Sequence, residues 1–315
     1  MARFRDLVLI AREYGLWGFL KRLYAEINDD NVFTNAAAMA YAWMFAVFPF
    51  MIVVMTLLPY VPDQYRAEAT KMTRSVLADS LTKDASDTIM EQMDKVLSQP
   101  RSGLLSLGIL LTLFAASGGM NATMTALDRA FDVDKPRKYV WKRIVAMMLT
   151  IFMCLCLIII VVLIPVGSLV TNLLTRHAGN LPAWAQDLMA GWTIPLLTVA
   201  RYVIGLTVMQ ILIGVIYHFG RSRRNHRIRF FTPGSIVAAL GWIGTGFGMR
   251  IYVENFANYS KTYGAVAGMV VMLMVFYFNA IIILLGAEID SEVRQIKSEI
   301  ASDRKPEASS GMPHA

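Results

Sequence analysis

Six stretches of 23 to 28 mostly apolar residues make up about half of this chain of 315 residues, at 36–60, 103–127, 144–170, 192–219, 231–253 and 264–287. A helix of that length spans the hydrocarbon core of a membrane, where backbone groups must be satisfied within the helix itself. The composition agrees, since 56% of the residues are hydrophobic and only 17% are charged. We therefore predict an all-α, polytopic membrane helix bundle with six transmembrane helices, and the blocks of apolar sequence exclude an ordinary cytosolic enzyme.

Lysine and arginine are divided unevenly between the two sides of such a bundle. The arm 1–35, the connections 128–143 and 220–230, and the tail after the sixth stretch carry five, six, five and four of them. The opposite connections carry eight, and six of those lie in the long connection between the first and second stretches, where acidic residues balance them. Because basic connections stay in the cytoplasm, both termini are predicted to be cytoplasmic.

Three regions are predicted from these boundaries. In the arm 1–35, apolar residues between positions 16 and 27 recur at helical spacing, which indicates an amphipathic helix. This helix either lies on the inner membrane surface or packs against the 128–143 connection. The transmembrane domain is 36–290, with an outer cap of two amphipathic helices at about 63–102. The cytoplasmic tail is 291–315, and its Pro-, Ser- and Gly-containing end predicts disorder from about 303.

The basic run RSRRNHRIR at 221–229 lies on the predicted cytoplasmic face. Such a cluster next to a membrane helix favours contact with anionic lipid headgroups. Nucleic acid is not expected as a partner, because no nucleic-acid-binding fold accompanies the run. The predicted inner-face lipid contacts are Arg221, Arg223, Arg224, Arg227 and Arg229.

Polar residues inside the apolar stretches are the main functional signal, because they are costly in lipid unless they face the bundle interior or water. Arg201 lies about nine residues inside the fourth stretch. It either faces a cavity and binds an anionic group, or snorkels towards the outer headgroups. If other deep polar residues converge on it, a polar substrate path results. The candidates are Arg201, Ser117, Asn121, Gln210 and Asn279.

Small residues and a proline predict the packing of the helices. Pro49 lies near the middle of the first stretch, where it removes a backbone hydrogen bond and favours a kink. Gly118 and Gly119 indicate either a kink or a close contact with another helix. On the fifth stretch Gly241, Gly244 and Gly248 share one helix face, which predicts close approach of a neighbouring helix.

Nothing in the sequence favours an enzyme. The four histidines, at 177, 218, 226 and 314, share no metal-ligand spacing, and Cys154 and Cys156 sit within an apolar run. No nucleotide-binding, hydrolase or zinc motif stands in a suitable context. We expect no catalytic residues, no metal and no cofactor.

Several segments carry motifs that match those of a known protein family. The first is NAAAMAYAWMFAVFPFMIV at 35–53, which includes Tyr41, and the second is GLLSLGILLTLFAASGGMNATMTALDRAF at 103–131. The most specific match is TPGSIVAALGW at 232–242 followed by 256–293, with Tyr263-Gly264 before the last helix and LGAE near its end. The LGAE motif contains Gly286 and Glu288. These segments resemble the YihY/BrkB family of bacterial inner-membrane proteins. The serine usual before the proline of the first helix is replaced here by Phe45-Ala46-Val47-Phe48, and the Trp common in the last helix is Phe276.

The resemblance implies six spanning helices in the bacterial cytoplasmic (inner) membrane with both ends inside. It also implies a role in the cell envelope, and suggests transport of a lipid or a lipid-like anion. A transporter or flippase-like protein for an anionic amphiphile is therefore the first functional hypothesis. The alternative is a non-transporting scaffold that recruits envelope partners. Membrane lipids are the expected partners, an anionic lipid is the candidate substrate, and oligomer formation stays open.

The predicted topology can be measured with reporter fusions. A reporter joined after Ala315, or inserted within 221–229, should read as cytoplasmic because these regions are basic. A reporter near residue 85 should read as external. An external reading for the fusion at Ala315 would contradict both the charge argument and the count of six helices.

Overall fold

The computed structural model describes residues 15–57, 102–178, 192, 194–222 and 230–303. Within these ranges the chain is helical and contains no strand. The helices are α1 Leu16–Asp29, α2 Val32–Leu57, α3 Ser102–Ala130, α4 Tyr139–Ala178, α5 Ile194–Gly220 and α6 Pro233–Asp303. The predicted outer cap, most of the basic run and the end of the tail lie outside the described residues, as do the side chains at 48–57, 102–112 and 254–267.

Four helical stretches in the described part of the chain are long and apolar enough to cross a membrane. They are Tyr139–Leu157, Pro195–Gly220, Pro233–Val253 and Gly268–Ser302, and Val32–Val47 is a shorter apolar helix. The first two predicted spans, 36–60 and 103–127, include positions outside this description. The described part of the chain is thus all-helical with four candidate membrane spans, and the total of six spans stays a prediction.

Helix α6 is a hairpin, although it is helical from Pro233 to Asp303. A straight helix would place Gly234 and Gly286 about 78 Å apart at 1.5 Å per residue. Instead the backbones of these two glycines are in contact, and a Cβ on Gly241 would lie 2.5 Å from Ile282. The chain therefore reverses near residue 261, and 233–253 (arm A) runs antiparallel to 268–303 (arm B). The predicted fifth and sixth helices correspond to these two arms.

The bundle is tightly packed at only one end. We call it the closed end: α2, α4 and arm A begin there, and α3, α5 and arm B reach it. On α5 the buried positions begin at Gln210 and continue to the closed end, whereas every described side chain at 195–209 is at least partly exposed. On arm B no described side chain before Asn279 is buried. The helices therefore share a core at the closed end, and their other halves form a more open region, the open half.

Helices α1 and α3 each end in a turn that contains a residue with left-handed backbone conformation. After α3, Asp132 has φ 48°, Asp132 N donates to Arg129 O at 2.8 Å, and Val133 N donates to Asp128 O at 2.9 Å. This pair of hydrogen bonds is the Schellman ending of a helix. After α1, Asn31 has φ 52°. Asp and Asn adopt this conformation more readily than most residues, so both turns keep a polar side chain where glycine would otherwise serve.

The predicted packing glycines behave differently from one another. A Cβ on Gly119 would lie 2.9 Å from Trp43 Cδ1, so this glycine lets α3 approach α2, and α3 runs unbroken through it. Gly118 meets no atom within 4 Å. Gly241 contacts arm B, but Gly244 and Gly248 are exposed and meet no described atom within 4 Å. The prediction of one packed face for all three arm A glycines was therefore wrong. The backbone of α2 continues as helix through Pro49.

Helix α1 packs against the end of arm B, a contact that neither sequence-based alternative included, and both alternatives stay predictions. Phe19 packs on Val293 and Ile296, while Trp17 and Tyr24, on the other side of α1, are 81% and 72% exposed. One face of α1 therefore holds the closed end together, and its exposed aromatic face suits the interfacial region of a membrane.

Gly286→Ala should destabilise the protein, because the added Cβ would overlap Gly234 O and Tyr217 Oη. Overpacking of this kind costs about 1–3 kcal/mol. Gly244→Ala is the matched control, since its Cβ meets open space and alanine favours helix. Thermal unfolding in detergent should show a lower midpoint for Gly286→Ala alone, and equal midpoints would contradict the hairpin contact.

Candidate functional site

The closed end contains a layer of buried polar and charged side chains, which we call the polar layer. Burial of such groups is costly unless they are hydrogen-bonded or paired, so their partners decide what the layer can do. Its buried members are Asn35, Asp128, His218, Arg221, Thr232, Ser235, Glu288, Asp290, Ser291 and Glu292.

Asp128 joins α3 to the ends of α4 and α5. Its carboxylate accepts hydrogen bonds from Ser222 N at 2.7 Å and Ser222 Oγ at 2.9 Å, and forms an ion pair with Lys142 at 3.0 Å. Arg137 donates to the carbonyl oxygens of the last two residues of α5. A cation is favourable at a helix C-terminus, so this connection both caps α5 and fixes it to α3.

The start of arm A is fixed by the end of arm B and by α5. Asp290 accepts a hydrogen bond from Gly234 N at 2.8 Å, where the helix has unsatisfied N–H groups. Thr232 and Ser235 bond each other's backbone N–H through their hydroxyls, which is the geometry of a capping box. Gln210 donates to Ser235 Oγ at 2.6 Å and to Phe230 O at 3.0 Å.

Arg22 of α1 binds two acids of arm B. Its Nε lies 2.6 Å from a carboxylate oxygen of Glu292, which is 1% exposed. Its two terminal nitrogens donate to Glu299 at 2.8 and 3.1 Å. Such bidentate pairing is among the stronger ionic contacts in proteins. We call this group the α1 clamp, because it holds α1 against arm B.

Four acids face one another beside the clamp: Glu26, Asp30, Asp132 and Glu288. Burial, together with the charge of Asp132, raises the pKa of Asp30 from 3.8 to about 6. Burial also raises the pKa of Glu26, with Asp132 and Asp29 adding to the effect. Glu288 is 0% exposed, and neither of its carboxylate oxygens has a hydrogen-bond partner. The four residues form the acidic group of the closed end.

The predicted polar path is not formed as a single seam. Arg201 and Gln210 are nine residues apart on α5, so they lie about 14 Å apart along the axis and on opposite faces at 100° per residue. Gln210 belongs to the cap of arm A, whereas Arg201 lies in the open half. Among the described residues, no hydrogen bond joins any two of the five predicted path residues.

The other three path candidates lie within the packed part. Ser117 is buried and donates to Phe114 O of its own helix at 2.8 Å. Asn121 is partly buried. Asn279 is 5% exposed and its Oδ1 has no hydrogen-bond partner. These positions are consistent with helix–helix packing, and their part in a substrate path stays a prediction.

Arg201 lies above the core on an inward face of α5. It shares that face with Val208 and with the buried Leu212, which belong to the core or pack against it. Its guanidinium carbon lies 5.0 Å from the ring centre of Tyr202, and Nη2 lies 3.5 Å from Tyr202 Oη. Its Nε is closed off from solvent and has no hydrogen-bond partner. The side chain thus has no acidic partner in the described part of the molecule.

One further expectation needs correction. Arg221, predicted to contact lipid headgroups, is 2% exposed and lies over the ring of Phe131. Burial and the nearby charge of Arg294 lower the pKa of Arg221 to about 10. Arg129 donates to Asn35, and Glu288 faces Asp30. The other four arginines of the basic run lie outside the described residues.

The remaining motif residues have structural places. Tyr41 is exposed and packs on Phe45, with ring centres 4.7 Å apart. Gly286 makes the hairpin contact, and Tyr217 Oη donates to Ile283 O one turn away. Tyr263 and Gly264 lie where only the backbone is described.

Sequence reasoning missed Asp290, Glu292 and the α1 clamp. The signal was present, because three acids occur in five residues directly after an apolar span.

Arg22→Gln should destabilise the protein, because it leaves the buried Glu292 carboxylate without its cation. An unsatisfied buried group costs about 1–3 kcal/mol. Adding Glu292→Gln to this variant should restore part of the loss, since the buried charge is then gone. Thermal unfolding in detergent measures both effects, with the exposed neighbour Lys21→Gln as control. Equal midpoints for Arg22→Gln and Lys21→Gln would contradict the role of the clamp.

The chain is similar to several membrane proteins of bacteria. YfkH of Bacillus subtilis (strain 168), which is named ribonuclease-like, is 30% identical over 280 residues, covering 89% of this chain and 96% of that protein. A UPF0761 membrane protein of Alteromonas mediterranea is 26% identical, covering 86% and 84% of the two chains. Another, from Vibrio parahaemolyticus, is 23% identical, covering 86% and 80%.

No solved structure shows a significant match to the chain. The model of the family described as virulence factor BrkB matches residues 23–310, which is most of the sequence. This match confirms the resemblance seen in the apolar segments and in the TPGS and LGAE motifs. The chain belongs to the BrkB family of membrane proteins, which includes its UPF0761 relatives.

Proposed function

We propose that this protein is a transporter or flippase-like protein of the bacterial inner membrane, and that its substrate is an anionic lipid or a similar amphiphile. The observation that carries the proposal is the isolated Arg201 in the open half, above a closed end sealed by polar contacts. No acid pairs with this cation in the described part of the chain. An anionic headgroup supplies the missing charge.

The open half suits a substrate that enters from the lipid. Apolar side chains of α5 and arm B are exposed there, including Val199, Val203, Met269 and Val270. An acyl chain can pack against such surfaces without desolvating polar groups. The headgroup then lies at the level of Arg201, where a guanidinium binds phosphate through two parallel hydrogen bonds.

The closed end forms the barrier in this proposal. The core and the polar layer fill this end of the bundle, so a substrate can pass it only if these contacts rearrange. Transporters commonly alternate between states that are open to one side and closed to the other. In this proposal, the described arrangement is the state that is closed at the end where α1 and the end of arm B lie.

The competing function is a scaffold that binds envelope partners without moving a substrate. In that case the exposed surfaces of α5 and arm B are covered by another protein, and Arg201 meets an acid of that partner. We also propose that the protein is not an enzyme. Transport activity of the purified protein alone separates the transporter from the scaffold.

The experiment uses liposomes that contain a fluorescent phosphatidylglycerol and the purified protein. Dithionite bleaches only the label in the outer leaflet, so faster or more extensive bleaching reports movement between leaflets. Arg201→Gln should slow this movement roughly tenfold or more, as expected for loss of a hydrogen bond between charged groups.

The matched control is Thr207→Val. Thr207 is exposed on the same helix, and its hydroxyl bonds only Val203 O of that helix. This variant should keep the wild-type rate. If wild-type protein moves no labelled lipid, or if Arg201→Gln is as active as wild type, the proposed site is wrong. Equal rates for a fluorescent phosphatidylcholine would contradict selectivity for an anionic headgroup.

A further inference from the structure

The least compensated charge of the closed end is the carboxyl group of Glu288. Its side chain is 0% exposed, and both oxygens lack hydrogen-bond partners. It faces Asp30 in the turn between α1 and α2, and Oδ2 of Asp30 is likewise closed off and unpartnered. A fully buried acid and a partly buried acid, from opposite ends of the chain, therefore face each other, and no donor from the described residues lies between them.

The surrounding charges do not supply this donor. Arg22 is held by Glu292 and Glu299, and Arg129 donates to Asn35, although its charge also acts on Asp30. Asp132 accepts a hydrogen bond from Gln295. The titratable and charged groups that face the pair are Arg22, Glu26 and Asp29 of α1, Arg129 and Asp132 of α3 and its turn, Tyr217 of α5, and Asp290, Glu292 and Arg294 of arm B.

An ionised carboxylate only accepts hydrogen bonds, so two facing carboxylates repel each other and cannot bond. One added proton changes this contact into an O–H···O⁻ hydrogen bond, which is short and strong. The proton sits on Glu288, the more buried of the two, and Asp30 accepts the bond. Because the described acids include no group of three that could hold a metal ion, a proton fits the pair better than a metal.

We infer that Glu288 and Asp30 together bind one proton when the closed end is packed, and that this proton is needed to keep the turn between α1 and α2 attached to arm B. When the proton leaves, the buried negative charge of Glu288 faces the negative charge of Asp30 and the contact weakens. This inference goes beyond the proposed function, since it concerns the packing of the closed end whatever the protein moves.

The direction of the pH effect follows from Asp30. Its pKa in the folded protein is about 6, above its ordinary value of 3.8, so the folded state binds a proton at Asp30 more tightly than the unfolded state does. The stability that protonation of Asp30 contributes is complete below the ordinary value and is lost as the pH rises through about 6, where Asp30 becomes the acceptor for the proton on Glu288. The closed end should therefore be most stable in mild acid.

The test is thermal unfolding of the full-length protein in lipid nanodiscs between pH 5 and pH 8. The wild-type midpoint should fall as the pH rises. In Glu288→Gln the amide donates to Asp30 at every pH, so the fall should be clearly smaller. At pH 8 its midpoint should exceed the wild-type value by about 2 °C or more.

Asp30→Asn is the second variant, and it changes the partly buried member of the pair. It should also make the thermal midpoint depend less on pH. It decides the question if Glu288→Gln does not fold. Glu299→Gln is the matched control. It removes a carboxylate from the same helix, but this carboxylate has a cationic partner, Arg22. This control should keep the wild-type dependence on pH.

Two results would overturn the inference. The first is a wild-type pH profile in both carboxamide variants. The second is a wild-type midpoint that rises at fixed pH on addition of Na⁺, Mg²⁺ or Ca²⁺ when Glu288→Gln does not respond, because the pair then binds a metal cation. Neither measurement depends on transport, so failure of the proposed function leaves this test intact.

Discussion

The contact between Gly234 and Gly286 is the constraint on which the packed end of this protein depends. Only glycine allows two helix backbones to approach so closely, because any Cβ would meet the opposite carbonyl. With the arms in this register, Asp290 reaches Gly234 N and caps arm A. The same register places Tyr217 Oη against Ile283 O. The lack of a Cβ at Gly286 thus allows groups of α5 and of both arms of α6 to reach their partners.

The two halves of the bundle are held by different forces. At the closed end, van der Waals packing combines with hydrogen bonds and ion pairs, many of them between residues far apart in sequence. In the open half, α4, α5 and arm A expose apolar side chains, as Leu155, Val203 and Phe247 illustrate. Such surfaces are stable in lipid, where the hydrophobic effect does not drive helices together. The same chain can therefore be rigid at one end and adaptable at the other.

Much of the fold follows from the sequence because lipid leaves few choices to the backbone. The apolar stretches predict α3, α5, arm A and the start of arm B to within a few residues, although arm B continues 16 residues beyond the predicted end at 287. The helical spacing in the N-terminal arm predicts α1. The glycine motif near the end of arm B drew attention to Gly286, but its partner 52 residues earlier has no local signature. Glycine spacing also predicted contacts for Gly244 and Gly248 that the exposed side of arm A does not provide.

The candidate site was harder to predict, for reasons of geometry. Arg201 and Gln210 are both deep in one apolar stretch, yet half a helical turn separates their faces. Counting polar residues by depth ignored this angle. Arg221 belongs to a basic run, and burial against Phe131 removes it from the surface. The acidic group depends on turns at Asn31 and Asp132, whose left-handed backbone brings α1 and α3 to arm B.

The α1 clamp has a consequence for how the protein is made. Arg22 and Glu299 are separated by 277 residues, so the first helix leaves the ribosome long before its partner exists. At about 5–20 residues per second, the interval is roughly 14–55 seconds. During that time Arg22 and the exposed aromatic face of α1 meet only the membrane surface. Completion of the closed end therefore waits for the last helix, and a chain that stops early keeps α1 unattached.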